Sequence, residues 1–248
     1  MKRQHILKFL YSFLFLIVAS MVQSQEKKAV DSIQKQKFPQ RYGLRIGTDL
    51  YKLTRSSYDK NYTGIELVGD VRFSKDYYIA VELGNENITK QEVNLNFTTK
   101  GTYIKGGFDY NLHENWLNQE NIIYVGMRYG ISAMSQTLNS YRIYNSSPYF
   151  GQSQLITESQ KFDGLSAQWI EVLAGLKTRV FNNIFVGFSF RGNIVISNVA
   201  PNEFDNLYIP GFNRTYDGSF GVGFNYTVSY LIPLYKKKFK ASKIVKKS

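Results

Sequence analysis

The chain has 248 residues, 43% of them hydrophobic and 16% aromatic, with no cysteine and a formal net charge of +12. The missing cysteines exclude a disulfide framework, a thiolate metal site and lipid attachment through a cysteine. The charge excludes a nucleic-acid surface once its distribution is read: Lys2, Arg3 and Lys8 open the chain, and Lys236, Lys237, Lys238, Lys240, Lys243, Lys246 and Lys247 close it, leaving a body near neutrality.

The first element is a leader. A basic start is followed by an apolar run from Phe9 to Val22 and by small residues suited to cleavage before Gln25. Fourteen apolar residues are too few for a spanning helix, which takes about 20. Residues 1–24 therefore read as a secretory signal peptide. Residues 25–38 read as a solvated periplasmic arm, with an Asp31-Ser32-Ile33 triplet that resembles an envelope O-glycosylation motif.

From residue 39 the sequence alternates. Strands are predicted at 41–51, 63–73, 77–86, 101–112, 122–133, 166–180, 183–196 and 218–235, each with apolar residues at every second position. The last is the longest: Phe220, Val222, Phe224, Tyr226, Val228, Tyr230, Ile232 and Leu234 fall on one face, and Gly221, Gly223, Asn225, Thr227 and Ser229 on the other. None of the eight apolar faces carries a charge. The opposite faces carry Arg41, Arg45, Asp49, Glu66, Asp70, Arg72, Glu82, Glu86, Lys105, Asp109, Arg128, Glu171, Lys177, Arg179 and Arg191, interleaved with glycines.

A soluble calyx or sandwich turns its apolar face inward and its charged face to water. Here the charged face is the crowded one and the apolar face is aromatic-rich, with Tyr42, Tyr77, Tyr110 and Tyr235 near strand ends. That is the polarity of a membrane barrel with aromatic girdles. The intervening links (52–62, 74–76, 87–100, 113–121, 134–165, 181–182 and 197–217) alternate long and short. Membrane barrels do the same, with long extracellular loops and short periplasmic turns. The predicted fold is thus all-β: an eight-stranded antiparallel transmembrane β-barrel of outer-membrane type over residues 39–235, with a basic periplasmic tail at 236–248. Both termini are expected in the periplasm, and the tail suits anionic headgroups or an acidic partner.

Eight strands make a barrel just wide enough for side chains to fill. Inward charges should then pair with one another rather than line a channel. The candidate lumen network is Arg45, Glu66, Asp70, Arg72, Glu82, Lys105, Asp109, Arg128, Glu171, Lys177 and Arg191. Little else suggests chemistry. The only histidine after the leader, His113, falls in a short turn beside Glu114, and one histidine without cysteine leaves no metal cluster. No catalytic residue, cofactor or metal is expected. The long links instead concentrate aromatics: Tyr141, Tyr144, Tyr149, Phe150 and Phe162 in one, Tyr208, Phe212 and Tyr216 in another. Such loops either bind a protein partner or pack on each other and cap the barrel.

The stretches FPQRYGLRIGTDLYKLTRSSYDKNYTGIELVGD, NLNFTTKGTYIKGGFDYNLHENWL and FDNLYIPGFNRTYDGSFGVGFNYTVSYLIPLYKK resemble a family of small Bacteroidota outer-membrane β-barrels of uncharacterised function. The resemblance runs from about Phe38 to Lys237 and implies an envelope barrel. It brings no catalytic residues with it. The expected role is a non-enzymatic structural or accessory component, in contact with outer-membrane lipid and an envelope protein. A lipid-modifying enzyme and a small-solute channel are the alternatives.

Overall fold

The computed structural model describes residues 40–113, 120–143, 149, 154–201, 206–212, 214–216 and 219–237, excepting the side chains of 40, 214–216, 236 and 237. The leader, the arm with Ser32, the tail beyond 237, Tyr144, Phe150 and the Tyr216 side chain lie outside the described residues. Ten elements follow in order: β1 (Gln40–Asp49), α1 (Leu50–Tyr58), β2 (Tyr62–Arg72), β3 (Tyr77–Glu92), β4 (Leu95–Asn111), β5 (Ile122–Tyr141), β6 (Gln160–Arg179), β7 (Ile184–Val199), the three-residue β8 (Arg214–Tyr216) and β9 (Phe220–Lys237).

Each long strand pairs antiparallel with the next, β7 pairs with β9, and β9 closes back on β1. Closure gives eight strands in a ring and removes the free edges that an open sheet would expose. β8 pairs only with the start of β9, alongside Val222, Gly221 and Phe220, beyond the point where β1 has ended. Short turns gather at one end of the ring, the base. α1, the β3–β4 hairpin and the longer connections gather at the other, the mouth.

The two faces separate as the alternation dictates. Ile65, Leu67, Ile79, Val81, Ile104, Phe108, Val125, Met127, Val172, Phe190, Phe224 and Tyr230 are exposed, while Arg45, Glu66, Glu82, Lys105, Arg128, Glu171 and Arg191 are buried. A soluble protein does not uncover its strand faces this way, because each half-exposed aliphatic side chain forgoes burial that water would favour. The core is ionic and the exterior apolar.

Three expectations are corrected. β1 stops at Asp49, because its carboxylate accepts from the Lys52 N–H at 3.1 Å and caps a helix where the first link was expected. The link expected at 87–100 does not exist as a loop: β3 and β4 run on to Glu92 and from Leu95, joined across Val93 and Asn94. The reason is a switch of phase. On β5 the apolar positions are odd through Ile131, then even at Met134 and Leu138, which are buried. Strands β3, β4 and β6 change likewise, burying Ile88, Phe97 and Leu165. The strands continue above the apolar belt with the greasy side turned inward, so the pattern reads as broken when only its phase has moved. Third, Tyr42 does not stand open on the outer face. It is buried, stacked on Tyr235 at 4.9 Å between ring centroids, beside a register shift in the β1–β9 pairing.

Candidate functional site

Inward residues of the eight ring strands converge in the lumen, and the ion pairs form layers. At the base Arg41 donates from Nε to both carboxylate oxygens of Glu120, at 2.9 and 2.8 Å, and from Nη1 to Asn183 at 2.8 Å. Above it Arg45 meets Asp70 at 2.6 Å, Lys177 meets Asp70 at 2.8 Å and Arg128 meets Asp109 at 2.7 Å. In the middle Arg191 is shared: Nη1 and Nη2 donate to Glu82 at 2.7 and 2.9 Å, and Nη1 also to Glu171 at 2.9 Å. Lys105, fully buried, sits 3.3 Å from Glu171, 3.4 Å from Glu82 and 3.7 Å from Glu66.

Among the described residues, six buried or nearly buried cations (Arg45, Lys52, Lys105, Arg128, Lys177 and Arg191) thus face seven carboxylates (Asp49, Glu66, Asp70, Glu82, Glu86, Asp109 and Glu171). Near-balance is what burial of so many charges demands, since an unpaired ion in this interior would cost several kcal/mol. A cavity lined by Arg41, Gly43, Arg45, Arg72, Tyr78, Glu120, Phe185 and Leu231 has a volume of about 20 Å³, room for about one water. Arg72 departs from the expected network. It donates to the carbonyls of Ser74 and Lys75 at the β2–β3 turn and lies over the rings of Tyr42 and Tyr78.

The mouth is where sequence reading fell short. α1 turns Lys52 inward, and its ammonium reaches Glu66 at 2.7 Å, Glu86 at 2.8 Å and the Tyr103 hydroxyl. Burial lowers the pKa of Lys52, but Glu66 and Glu86 outweigh it and hold that pKa well above the usual lysine value. After β7, separated from β1 only by β9, the segment 206–212 folds over the lumen. Glu86 accepts from the Tyr208 hydroxyl at 2.6 Å, the Gly211 N–H at 3.2 Å and the Tyr62 hydroxyl at 3.2 Å. Burial and Glu86 together push the Tyr208 phenol well above its usual pKa. Gly211 has φ +80, and a Cβ there would lie 2.5 Å from the Tyr103 ring, so only glycine lets the backbone pass.

Phe212 closes the plug. It is fully buried edge-on to Trp169, with ring centroids 5.8 Å apart, and its carbonyl accepts from Asn193 at 2.6 Å. Tyr103, Met134, Leu165, Ala167, Trp169, Ile209 and Phe212 form one apolar cluster above the ionic layers. Of the two readings open for the loop aromatics, partner contact or cap, Phe212 takes the second and is no partner contact. Tyr208 is likewise tied down by Glu86. Of the other aromatic candidates, Tyr149 stands 94% exposed, and Tyr141 is partly buried in a bridge with Ile156. Lys52 escaped notice because it lies on a helix read as a loop. The Asp49 cap before Leu50 and Leu53 was the available signal.

A closed ring of eight antiparallel strands, apolar without and ion-paired within, defines the class: an eight-stranded β-barrel of the transmembrane type. Within that class, the chain belongs to the family described as a domain of unknown function, DUF6048, whose profile matches residues 6–237. No curated protein matches the sequence. Among solved structures the chain is similar to Ail, the attachment invasion locus protein of Yersinia pestis, at 13% identity, covering 78% of this chain and 99% of that one with a TM-score of 0.39. It is also similar to Neisserial surface protein A, NspA, at 10% identity, covering 77% and 95% with a TM-score of 0.39.

Proposed function

We propose that this protein is a bacterial outer-membrane β-barrel without a through-pore, serving as a structural or accessory component of an envelope assembly. Its lumen stabilises the fold, and its contacts are made outside the lumen, by the mouth-side loops and the C-terminal tail. The observation that carries this reading is the filling of the barrel: ion-paired layers from Arg41–Glu120 to Lys52–Glu86, sealed by the apolar plug around Phe212. A channel needs a continuous water path, and an enzyme of this shape needs a reachable base beside a nucleophile or water. The buried carboxylates here are engaged with cations, or, for Asp49, with the Lys52 N–H and the Asn225 amide, so contact is the better-supported role. The exposed Ile143 and Tyr149 belong to the long β5–β6 connection, which makes that connection the leading contact candidate.

The test is crosslinking in native outer membranes. Replacing 144–153 by a short glycine–serine turn should leave the barrel heat-modifiable on gels while removing a specific crosslinked partner. Retention of every partner by that variant and by a second lacking 238–248 would overturn the contact role.

A further inference from the structure

The apolar belt is not the same height around the barrel. On β3 the outward positions are apolar from Tyr77 to Leu83, seven residues, and then become Asn85 and Asn87. On β4 they run Tyr110, Phe108, Gly106, Ile104 and then give way to Thr102 and Lys100. On β7 the outward face stays apolar for thirteen residues, from Ile184 to Ile196, and on β9 for fifteen, from Leu234 back to Phe220. With a rise of about 3.3 Å per residue and a tilt of about 40°, these runs correspond to roughly 18 Å on β3 and β4. The same estimate gives roughly 33–38 Å on β7 and β9, on either side of the ~25 Å band usual for such barrels.

The upper limit on the short side is sharp, because there the apolar phase crosses to the inner face, burying Ile88, Phe97, Met134 and Leu165. On β7 Val195 also packs against the inner cluster, beside a register shift, but the outward face of β7 and β9 stays apolar at that height. Their facing pairs are Ile184–Tyr230, Val186–Val228, Phe188–Tyr226, Phe190–Phe224, Gly192–Val222 and Ile194–Phe220, with no charge among them and the two tyrosine hydroxyls as the only polar side-chain atoms. Ile194 and Ile196 remain 56% exposed, and Phe220 46%. Tilting the barrel cannot produce this. A tilt raises both edges of the belt together on one side and leaves the belt's height unchanged.

We propose that the barrel carries a graded lipid annulus, thin against β3–β4 and thick against β7–β9. This rests on the membrane reading above. The occupant of the tall sector is acyl chain, because its surface continues the belt without a charge and its outward side chains are aliphatic or aromatic from Ile184 to Ile196 and from Phe220 to Leu234. On the short sector Lys100, exposed just above Ile104, stands where a lowered headgroup phosphate would meet it. Bilayers accommodate such mismatch by local thinning or thickening at modest cost.

The chain's lack of cysteine makes the test direct. Single spin labels at Asn85→Cys, Thr102→Cys, Ile194→Cys, Phe220→Cys and the mid-belt Val125→Cys are placed in the full barrel, folded into phosphatidylcholine vesicles. Collisions with oxygen report hydrocarbon, and collisions with a nickel chelate report water. The oxygen-to-nickel ratio at 194 and 220 should approach that at 125 and exceed that at 85 and 102 about ten-fold. A variant that fails to fold is replaced by its neighbour, Asn87→Cys or Ile196→Cys. Nickel access at 194 and 220 with 125 still in hydrocarbon would overturn the gradient and make the tall sector a protein-contact face. Hydrocarbon readings at 85 and 102 would also overturn it. Nickel access at all five, 125 included, would defeat the membrane reading itself.

Discussion

Adjacent residues on one strand show how strictly the two faces differ. A Cβ added at Gly107 would lie 1.9 Å from the Met127 carbonyl oxygen, whereas one added at Gly106 meets nothing within 4 Å. Gly106→Ala should change stability by less than about 0.5 kcal/mol, and Gly107→Ala should cost about 1–3 kcal/mol. Urea midpoints of the folded, heat-modifiable form would separate them. Val125 and its neighbour Gly126 show the same contrast: a Cβ at Gly126 would sit 2.4 Å from Asp109 and 2.6 Å from the Phe108 carbonyl oxygen. Val125→Arg, exposed at mid-belt, should still cost about 2–4 kcal/mol against lipid. Inside, Arg191→Met removes the shortest cation contacts of Glu82 and Glu171, leaving both to Lys105 at 3.4 and 3.3 Å, and should cost about 3–5 kcal/mol. Adding Glu82→Gln to it should recover part of that loss, the sign that pairing rather than the arginine itself is what stabilises. A double variant no more stable than the single one would contradict this.

At the level of elements, α1 and the segment 206–212 are a plug held at one carboxylate. Glu86 takes Lys52 at 2.8 Å, Tyr208 at 2.6 Å and Gly211 at 3.2 Å. Glu86→Gln keeps the shape but removes the charge, and a charged acceptor makes hydrogen bonds about twice as strong as a neutral one. Amide hydrogens of 206–212 should then exchange at least ten-fold faster, while those of β4–β6 stay protected. Equal exchange in both forms would mean that the apolar contacts of Phe212 with Trp169 hold the plug unaided. The long strands β5 and β6, 20 residues each, outlast the belt by about half their length and form the wall on which the plug rests.

For the molecule as a whole, filling and capping predict electrical silence. Reconstituted in planar bilayers the protein should show no stable unitary steps, because the ion-paired layers and the plug around Phe212 occupy the lumen. Selective steps abolished by substituting Arg128 would promote the channel alternative. Orientation has its own check: a tag within 144–153 should be reachable on intact cells and a tag after Ser248 should not.

The alternation from Tyr42 to Leu234 was enough to name an eight-stranded barrel with charge inside, since a period of two assigns every side chain to one of two faces and lipid accepts only one of them. Link lengths were a weaker guide to the two ends, because the β3–β4 connection, expected to be long, is only Val93 and Asn94. What the period could not carry was anything that depends on which residues meet across the lumen. Lys52 lies 14 residues from Glu66, and Tyr208 lies 122 residues from Glu86. Whether Phe212 faces a partner or Trp169 is likewise decided by a loop folding back through space. The phase switch near Ile131 was written in the sequence but unreadable there. It becomes a border only when neighbouring strands change phase around the same wall and a plug stands behind them to bury the new apolar face. Local periodicity sets orientation; the closure of the ring sets which of those oriented groups become partners.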